Sequence, residues 1–98
     1  MVVMPERFQT LHPNPAKNGV RIERSKYEQI RDAIMESVNT HREIRFRDLT
    51  KEVESRLAGR FDGSVPWYVT TVKLDLEARG EIERVPRVTP QRLRIKRR

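Results

Sequence analysis

The sequence predicts an α+β fold in which three helices are followed by a two-stranded β-hairpin. Three stretches place apolar residues on one helical face, whereas the chain after Gly80 alternates apolar and basic residues. Turn residues (Ser, Gly and Pro) separate these stretches. Because 25 of the 98 residues are Leu, Ile, Val or Phe, the chain is long enough and apolar enough for one compact domain.

The first helix is predicted to begin at Ser25, which forms an S-x-x-E capping box with Glu28. Its apolar residues follow the spacing i, i+3, i+7, i+11, at Tyr27, Ile30, Ile34 and Val38. Before it, residues 1–24 are rich in Pro and Asn and show neither helical nor strand periodicity. These residues are therefore predicted to form an extended, partly disordered N-terminal arm.

The second helix repeats the same apolar spacing, at Phe46, Leu49, Val53 and Leu57. A very short strand or extended link around Ile44 precedes it, and Gly59 is a natural stop. The third helix is predicted from Ser64 as N-cap, with Pro66 in the first turn. Its buried stripe is Val65, Tyr68, Val69, Val72 and Leu76. Asp75 and Arg79 are spaced to form an i,i+4 ion pair.

The hairpin is predicted from two short runs around the loop at residues 86–90. Ile82 and Val85 lie in the first run, and Leu93 and Ile95 alternate with basic residues in the second. The folded domain is thus expected to span residues 25–96, with residues 97–98 as a frayed basic end.

The net charge of +7 is confined to the end of the chain. Residues 1–83 hold 14 basic and 14 acidic side chains, so their charges balance. Residues 84–98 hold seven basic side chains and no acidic one. A basic hairpin with no acid inside it favours a polyanionic partner.

The order of elements resembles a winged-helix domain over roughly residues 25–96. Its most specific stretch is SVPWYVTTVKLDLEARGEIER, residues 64–84. That stretch resembles the recognition helix, the Arg-Gly stop and the first wing strand of bacterial winged-helix regulators. The whole chain, including LHPNPAKNG at residues 11–19, also resembles an uncharacterised bacterial family of small proteins, which implies no mechanism.

The winged-helix resemblance implies binding of double-stranded DNA and a role in transcriptional regulation. The third helix would enter the major groove, and the hairpin would lie on the phosphate backbone or in the minor groove. The nucleic-acid-binding residues expected on this basis are Ser64, Trp67, Thr70, Thr71, Lys73, Arg84, Arg87, Arg92, Arg94 and Lys96. Within this set Lys73 would reach a phosphate from the flank of the helix, and Arg87 lies near the hairpin tip.

Other interpretations of the same residues stay open. Trp67 packs against the hairpin or the N-terminal arm, or it contacts a partner. With Leu74 and Ala78 it would form an exposed apolar patch, so the main alternative is a winged-helix module for protein–protein interaction or dimerisation. Thr70 and Thr71 have a simpler interpretation as solvated positions. The basic residues of the second hairpin run either lie on the solvent-exposed face of a strand or contact a polyanion. RNA is a further possible ligand.

An enzyme is not expected, and neither is a cofactor, a metal site or a small-molecule ligand. Cys is absent, and the two histidines stand alone. Glu28, Asp32 and Glu36 align on one helical face, which is typical of a solvated surface. The turn at residues 59–63 lacks the Lys-Ser/Thr of a phosphate loop. Without a signal peptide or a membrane span, a cytoplasmic location is expected. A homodimer would extend the few base pairs that one small module covers.

Overall fold

A computed structural model describes residues 5–97 of the chain. Over these residues the elements are β1 (Arg7–Gln9), β2 (Arg21–Glu23), α1 (Arg24–His41), β3 (Glu43–Arg45), α2 (Phe46–Arg56), α3 (Val65–Ala78), β4 (Ile82–Arg84) and β5 (Arg92–Ile95). Strands β1 and β2 form one antiparallel sheet, and the other three form a second in the order β3-β5-β4. The predicted α+β class with three helices is confirmed.

The second sheet contains three strands because β3 joins the two C-terminal ones. Strand β4 pairs antiparallel with β5, with Ile82 opposite Ile95 and Arg84 opposite Leu93. On its other edge β5 pairs with β3, where Ile44 lies opposite Leu93. The short strand predicted around Ile44 is therefore present, and it is one of the two edge strands of the sheet.

The core lies where the helices meet the inner face of this sheet. The apolar residues predicted on α1 are all buried, and Leu49 and Val53 of α2 and Val69, Val72 and Leu76 of α3 are buried with them. Phe46, Leu57, Val65 and Tyr68 pack against this cluster while partly exposed. From the sheet, Ile44, Ile82 and Leu93 complete the core. No helix within residues 5–97 is long and apolar enough to cross a membrane.

Helix α1 begins one residue earlier than predicted, and the capping box at Ser25 and Glu28 is wrong. Its N-cap is Glu23, and no side chain caps the helix. Strand β2 runs directly into α1, so Ser25 already lies inside the first turn. The N–H of Arg24 donates to the Glu6 carbonyl at 2.8 Å, which satisfies one of the free amides at the helix start. At α3, in contrast, the predicted cap is confirmed, because Ser64 Oγ accepts from the Trp67 N–H at 3.3 Å.

In place of the extended arm predicted over residues 1–24, the structure has a hairpin that packs on the helices. Strands β1 and β2 pair with Phe8 opposite Ile22, and Ile22 is buried. The pairing was not visible in the sequence because each strand has only three residues. Residues 1–4 of the predicted arm lie outside the described residues.

A buried carboxylate fixes this hairpin to the helices. Asp75 of α3 is fully buried and accepts from the Tyr27 hydroxyl of α1 at 2.5 Å. It also accepts from the Leu11 N–H at 2.8 Å and from Arg79 Nε at 2.9 Å. The i,i+4 pair predicted between Asp75 and Arg79 is confirmed, and it belongs to a cluster that joins three segments of the chain.

The ring of Phe8 completes this junction. It lies 4.0 Å from the Tyr27 ring, centroid to centroid. The guanidinium carbons of Arg24 and Arg79 each lie 4.9 Å from its centroid. Such cation–π contacts allow two arginines to pack on an apolar ring while their charged ends stay hydrated.

The variant Tyr27→Phe tests the buried carboxylate. It removes one donor to Asp75 and leaves the aromatic ring in place, so we expect a loss of about 1.5–3 kcal/mol in unfolding free energy. Urea denaturation measures this loss. Tyr68→Phe is the matched control, because within residues 5–97 the Tyr68 hydroxyl has no hydrogen-bond partner, and it should change stability by less than ~0.5 kcal/mol. Equal effects of the two variants would contradict the assigned role of Tyr27.

A dependence on alkaline pH follows from the same contact. Burial raises the pKa of Tyr27, and the hydrogen bond to Asp75 and its charge raise it further. The folded protein thus holds the hydroxyl proton more tightly than the unfolded chain, in which Tyr titrates near pH 10. This stabilisation is complete below about pH 10 and is lost above it, by up to ~1.4 kcal/mol per pH unit. Urea unfolding at a series of alkaline pH values should show a steeper loss for the parent than for Tyr27→Phe.

Candidate nucleic-acid interface

The exposed face of α3 is limited to the first half of the helix. Because Val69, Val72 and Leu76 turn into the core, Trp67 and Thr70 turn outward, and both are exposed. Trp67 is 48% exposed, and its ring meets the Tyr68 ring edge-on at 4.9 Å. Trp67 is thus half exposed, and its indole contacts the Tyr68 ring of the same helix. The Thr70 hydroxyl donates to the Pro66 carbonyl at 3.1 Å, which leaves its oxygen as an acceptor.

The second half of the same face is covered by the loop between β1 and β2. Thr71 and Leu74 are only partly exposed there. Together with Leu11 and Val20 they line a small cavity of about 90 Å³. Leu74 was predicted to extend an exposed apolar patch from Trp67, and the loop is the reason that it does not.

Lys73 does not project towards solvent, which corrects its predicted contact with a phosphate. Its side chain is 3% exposed, and its ammonium lies 2.9 Å from Glu77 Oε1. The same ammonium lies 5.2 Å from the centroid of the Phe46 ring. Burial lowers the pKa of Lys73, and Glu77 opposes that shift in part. Lys73 is thus a buried structural cation between α3 and α2.

The β4–β5 hairpin presents two arginines at its free side. Arg84 is 58% exposed along its side chain and reaches Glu77 of α3 at 3.4 Å, so this hairpin lies beside α3. Arg87 is exposed in the connecting loop with φ of 60°, a conformation that few non-glycine residues adopt. Val88, next to it, is 36% exposed.

Arg92 and Arg94, the alternate residues of β5, lie on the outer face of the three-stranded sheet. Acidic side chains balance part of the positive charge of this face. Arg94 Nε lies 2.8 Å from Glu83 Oε2 on β4. Arg94 also lies opposite Glu43 in the register with β3. The expectation that no acid balances the basic hairpin is therefore wrong for Arg94. These acids were missed because they come from the neighbouring strands and not from residues 84–98.

Arg92 and Lys96 are in a different situation from Arg94. Arg92 lies opposite another cation, Arg45 of β3, in the antiparallel register. Lys96 is exposed at the end of β5, where its N–H donates to the Glu81 carbonyl at 3.1 Å. Both side chains remain available to an anion.

A second group of cations, which the sequence interpretation missed, lies where α2 begins. Arg45, Arg47 and Lys51 line an open cleft with Asp48 and the hairpin residues Pro90 and Gln91. The Phe46 N–H donates to the Gln91 carbonyl at 3.0 Å and so fixes the start of α2 against the hairpin. A signal was present in the sequence, because residues 42–51 contain four basic and two acidic side chains. The charge balance over residues 1–83 concealed it.

The structure thus divides the predicted site residues into two groups. Ser64, Trp67 and Thr70 share the exposed start of α3, and Arg84 lies on the flank of that helix. Arg92 and Arg94 lie on the outer sheet face, where they continue towards Arg45. Within residues 5–97 no group of three or more His, Cys, Asp or Glu side chains is placed to hold a metal ion.

Comparison with known proteins identifies a family without an assigned activity. Neither the curated proteins nor the solved structures provide a significant match for this chain. Residues 7–93, which include all three helices and most of the five strands described above, match the model of a family of unknown function (DUF6958), and the chain belongs to that family.

Proposed function

We propose that this chain is a winged-helix module that binds double-stranded DNA and acts in transcriptional regulation. In this proposal the exposed start of α3 enters the major groove, and the β4–β5 hairpin is the wing that lies along the phosphate backbone. The observation that carries the proposal is the contact between Arg84 and Glu77, which sets a basic hairpin beside the C-terminal half of the helix whose start is exposed.

The order of the elements supports the winged-helix assignment. Helix α1, strand β3, helices α2 and α3 and the β4–β5 pair follow one another, and β3 closes the sheet against β5. This order brings the loop of the β4–β5 hairpin and helix α3 to the same part of the molecule. The basic cleft at Arg45, Arg47 and Lys51 adds positive charge next to that loop.

Affinity in this proposal comes mainly from phosphates and less from bases. The exposed start of α3 offers a hydroxyl, a Thr side chain and an indole, but no Arg, Asn or Gln for bidentate contact with a base. Phosphate contacts fix register without carrying sequence information. We therefore expect weak sequence preference and a strong dependence of affinity on salt.

The exposure of Trp67 favours a second candidate function, a protein–protein or dimerisation module. Solvent-exposed Trp is common at the centre of interfaces. Leu74 is half-buried beneath the β1–β2 loop, and Leu11 and Val20 of that loop supply exposed apolar surface in its place. DNA binding is the better-supported function, because the cations around α3 have no role in a purely apolar contact.

The first test is binding of the purified protein to a mixed-sequence fluorescent duplex across a salt series, measured by anisotropy. Engagement of about five phosphates predicts a slope of log K against log salt near −4 to −5. Arg87→Gln should reduce the magnitude of the slope by about 0.9. Arg94→Gln should leave the slope nearly unchanged, because Glu83 neutralises Arg94. A flat salt dependence, or no binding at low salt, would exclude the proposal. Stronger binding to A-form duplex RNA would reassign the ligand.

The second test uses Trp67, which is the chain's single tryptophan, so tryptophan fluorescence reports on this one side chain. Duplex DNA should quench its fluorescence, and Trp67→Ala should weaken DNA binding several-fold while unfolding free energy changes by less than ~1 kcal/mol. Sedimentation of the parent and the variant gives the oligomeric state. Loss of self-association in Trp67→Ala with unchanged DNA affinity would instead support the interaction module.

A further inference from the structure

The loop between β1 and β2, residues 11–19, covers Thr71 and Leu74 in the C-terminal half of α3 and continues along the flank of Asp75, opposite the β4–β5 hairpin. We refer to it as the N-terminal loop. It is held to one flank by the bond from the Leu11 N–H to Asp75. On the other flank Glu77 contacts Arg84 of the hairpin. Asp75 and Glu77 are two residues apart, which is a rotation of about 200° around a helix, so the two elements bracket the C-terminal half of α3.

The N-terminal loop has a fixed conformation at its base. The Thr10 N–H donates to the Val20 carbonyl at 2.9 Å, and the Val20 N–H donates to Thr10 Oγ1 at 2.8 Å. Gly19 allows this closure, because a Cβ placed there would lie 2.0 Å from the Thr10 carbonyl oxygen. The base of the loop therefore leaves no space for any larger residue.

The tip of the loop is also ordered by its own hydrogen bonds. The Asn14 side chain accepts from the Ala16 N–H at 2.9 Å, and the Asn14 carbonyl accepts from the Lys17 N–H at 3.0 Å. Two prolines, Pro13 and Pro15, restrict the backbone further. A loop ordered in this way loses little conformational entropy when it binds a partner.

The exposed side chains of the loop suit an anionic partner. Residues 7–22 contain Arg7, Lys17 and Arg21 and no acidic residue. Lys17 and Asn18 are exposed, and within residues 5–97 the Lys17 ammonium has no carboxylate within ion-pair distance. Asn18, near the base of the loop, borders the same cavity as Thr71 of α3, and Lys17 borders a cleft with Ala78 at the end of that helix.

We propose that the N-terminal loop is a second phosphate-contacting element, with Lys17 and Asn18 as its contact groups. This inference rests on the proposed binding of duplex DNA through α3. The major groove is about 12 Å wide and is nearly filled by one helix with its side chains. Elements on the two flanks of α3 then lie over the two opposite backbones, the β4–β5 hairpin over one and the N-terminal loop over the other.

The experiment compares Lys17→Ala with the parent protein on the same mixed-sequence duplex across a salt series. Loss of one phosphate contact should reduce the magnitude of the log–log slope by about 0.9 and weaken binding roughly eightfold at about 0.1 M salt. Arg42→Gln is the matched control. It also removes one positive charge, at the far end of α1 beside Glu43 and Glu83, and should change the slope little. Thermal unfolding of both variants checks that the fold is retained, as expected for exposed positions.

The outcomes separate this inference from the proposed function. If the parent binds and Lys17→Ala and Arg42→Gln have equal slopes, the N-terminal loop makes no phosphate contact and the inference is wrong, while the proposed function stands. If the parent itself shows no salt-dependent binding, both are wrong. A second variant, Asn18→Ala, should weaken binding without changing the slope, because it removes a hydrogen bond and not a charge.

Discussion

The arrangement of the chain depends on one buried carboxylate. Asp75 receives hydrogen bonds from a hydroxyl of α1, a backbone amide of the N-terminal loop and a guanidinium of its own helix. An ionised group with no exposed surface is costly unless such donors surround it. The same donors come from three segments that are distant in sequence, so satisfying Asp75 brings those segments together. The loop beside α3 and the helix itself are therefore parts of one packed unit.

The net charge of the molecule locates its basic surface only when the ion pairs within the fold are taken into account. A net charge of +7 suggests a basic hairpin and a neutral body. In the fold, Glu83 neutralises Arg94 within the hairpin, and Glu77 holds the buried Lys73. Cations of the supposedly neutral body, at the start of α2, meanwhile face the hairpin. The basic surface is shifted towards α2 and extends over both β3 and β5.

Much of this fold was predictable from local patterns. The apolar spacing of α1, the Ser64 cap and the alternation in β5 each depend on residues close in sequence, and the structure confirms them. Predictions failed where a distant segment decides the outcome. Strand β2, which pairs with the distant β1, runs directly into α1 in place of the expected cap at Ser25, and the ring of Phe46 covers Lys73. The β1–β2 pair was missed because ten or more residues separate two very short strands. The exposed start of α3 was predictable, whereas its covered second half required the position of that loop.

Glu77 has a further consequence as the shared acceptor of two cations. Its Oε1 lies 2.9 Å from the Lys73 ammonium and 3.4 Å from Arg84 Nε. If Arg84 moves away, the buried pair of Glu77 and Lys73 remains electrically complete, so the departure leaves no orphaned charge inside the protein. The contact of Arg84 with Glu77 can thus be replaced by a contact with another anion. An anion that binds Arg84 has to compete with the Glu77 carboxylate for its guanidinium.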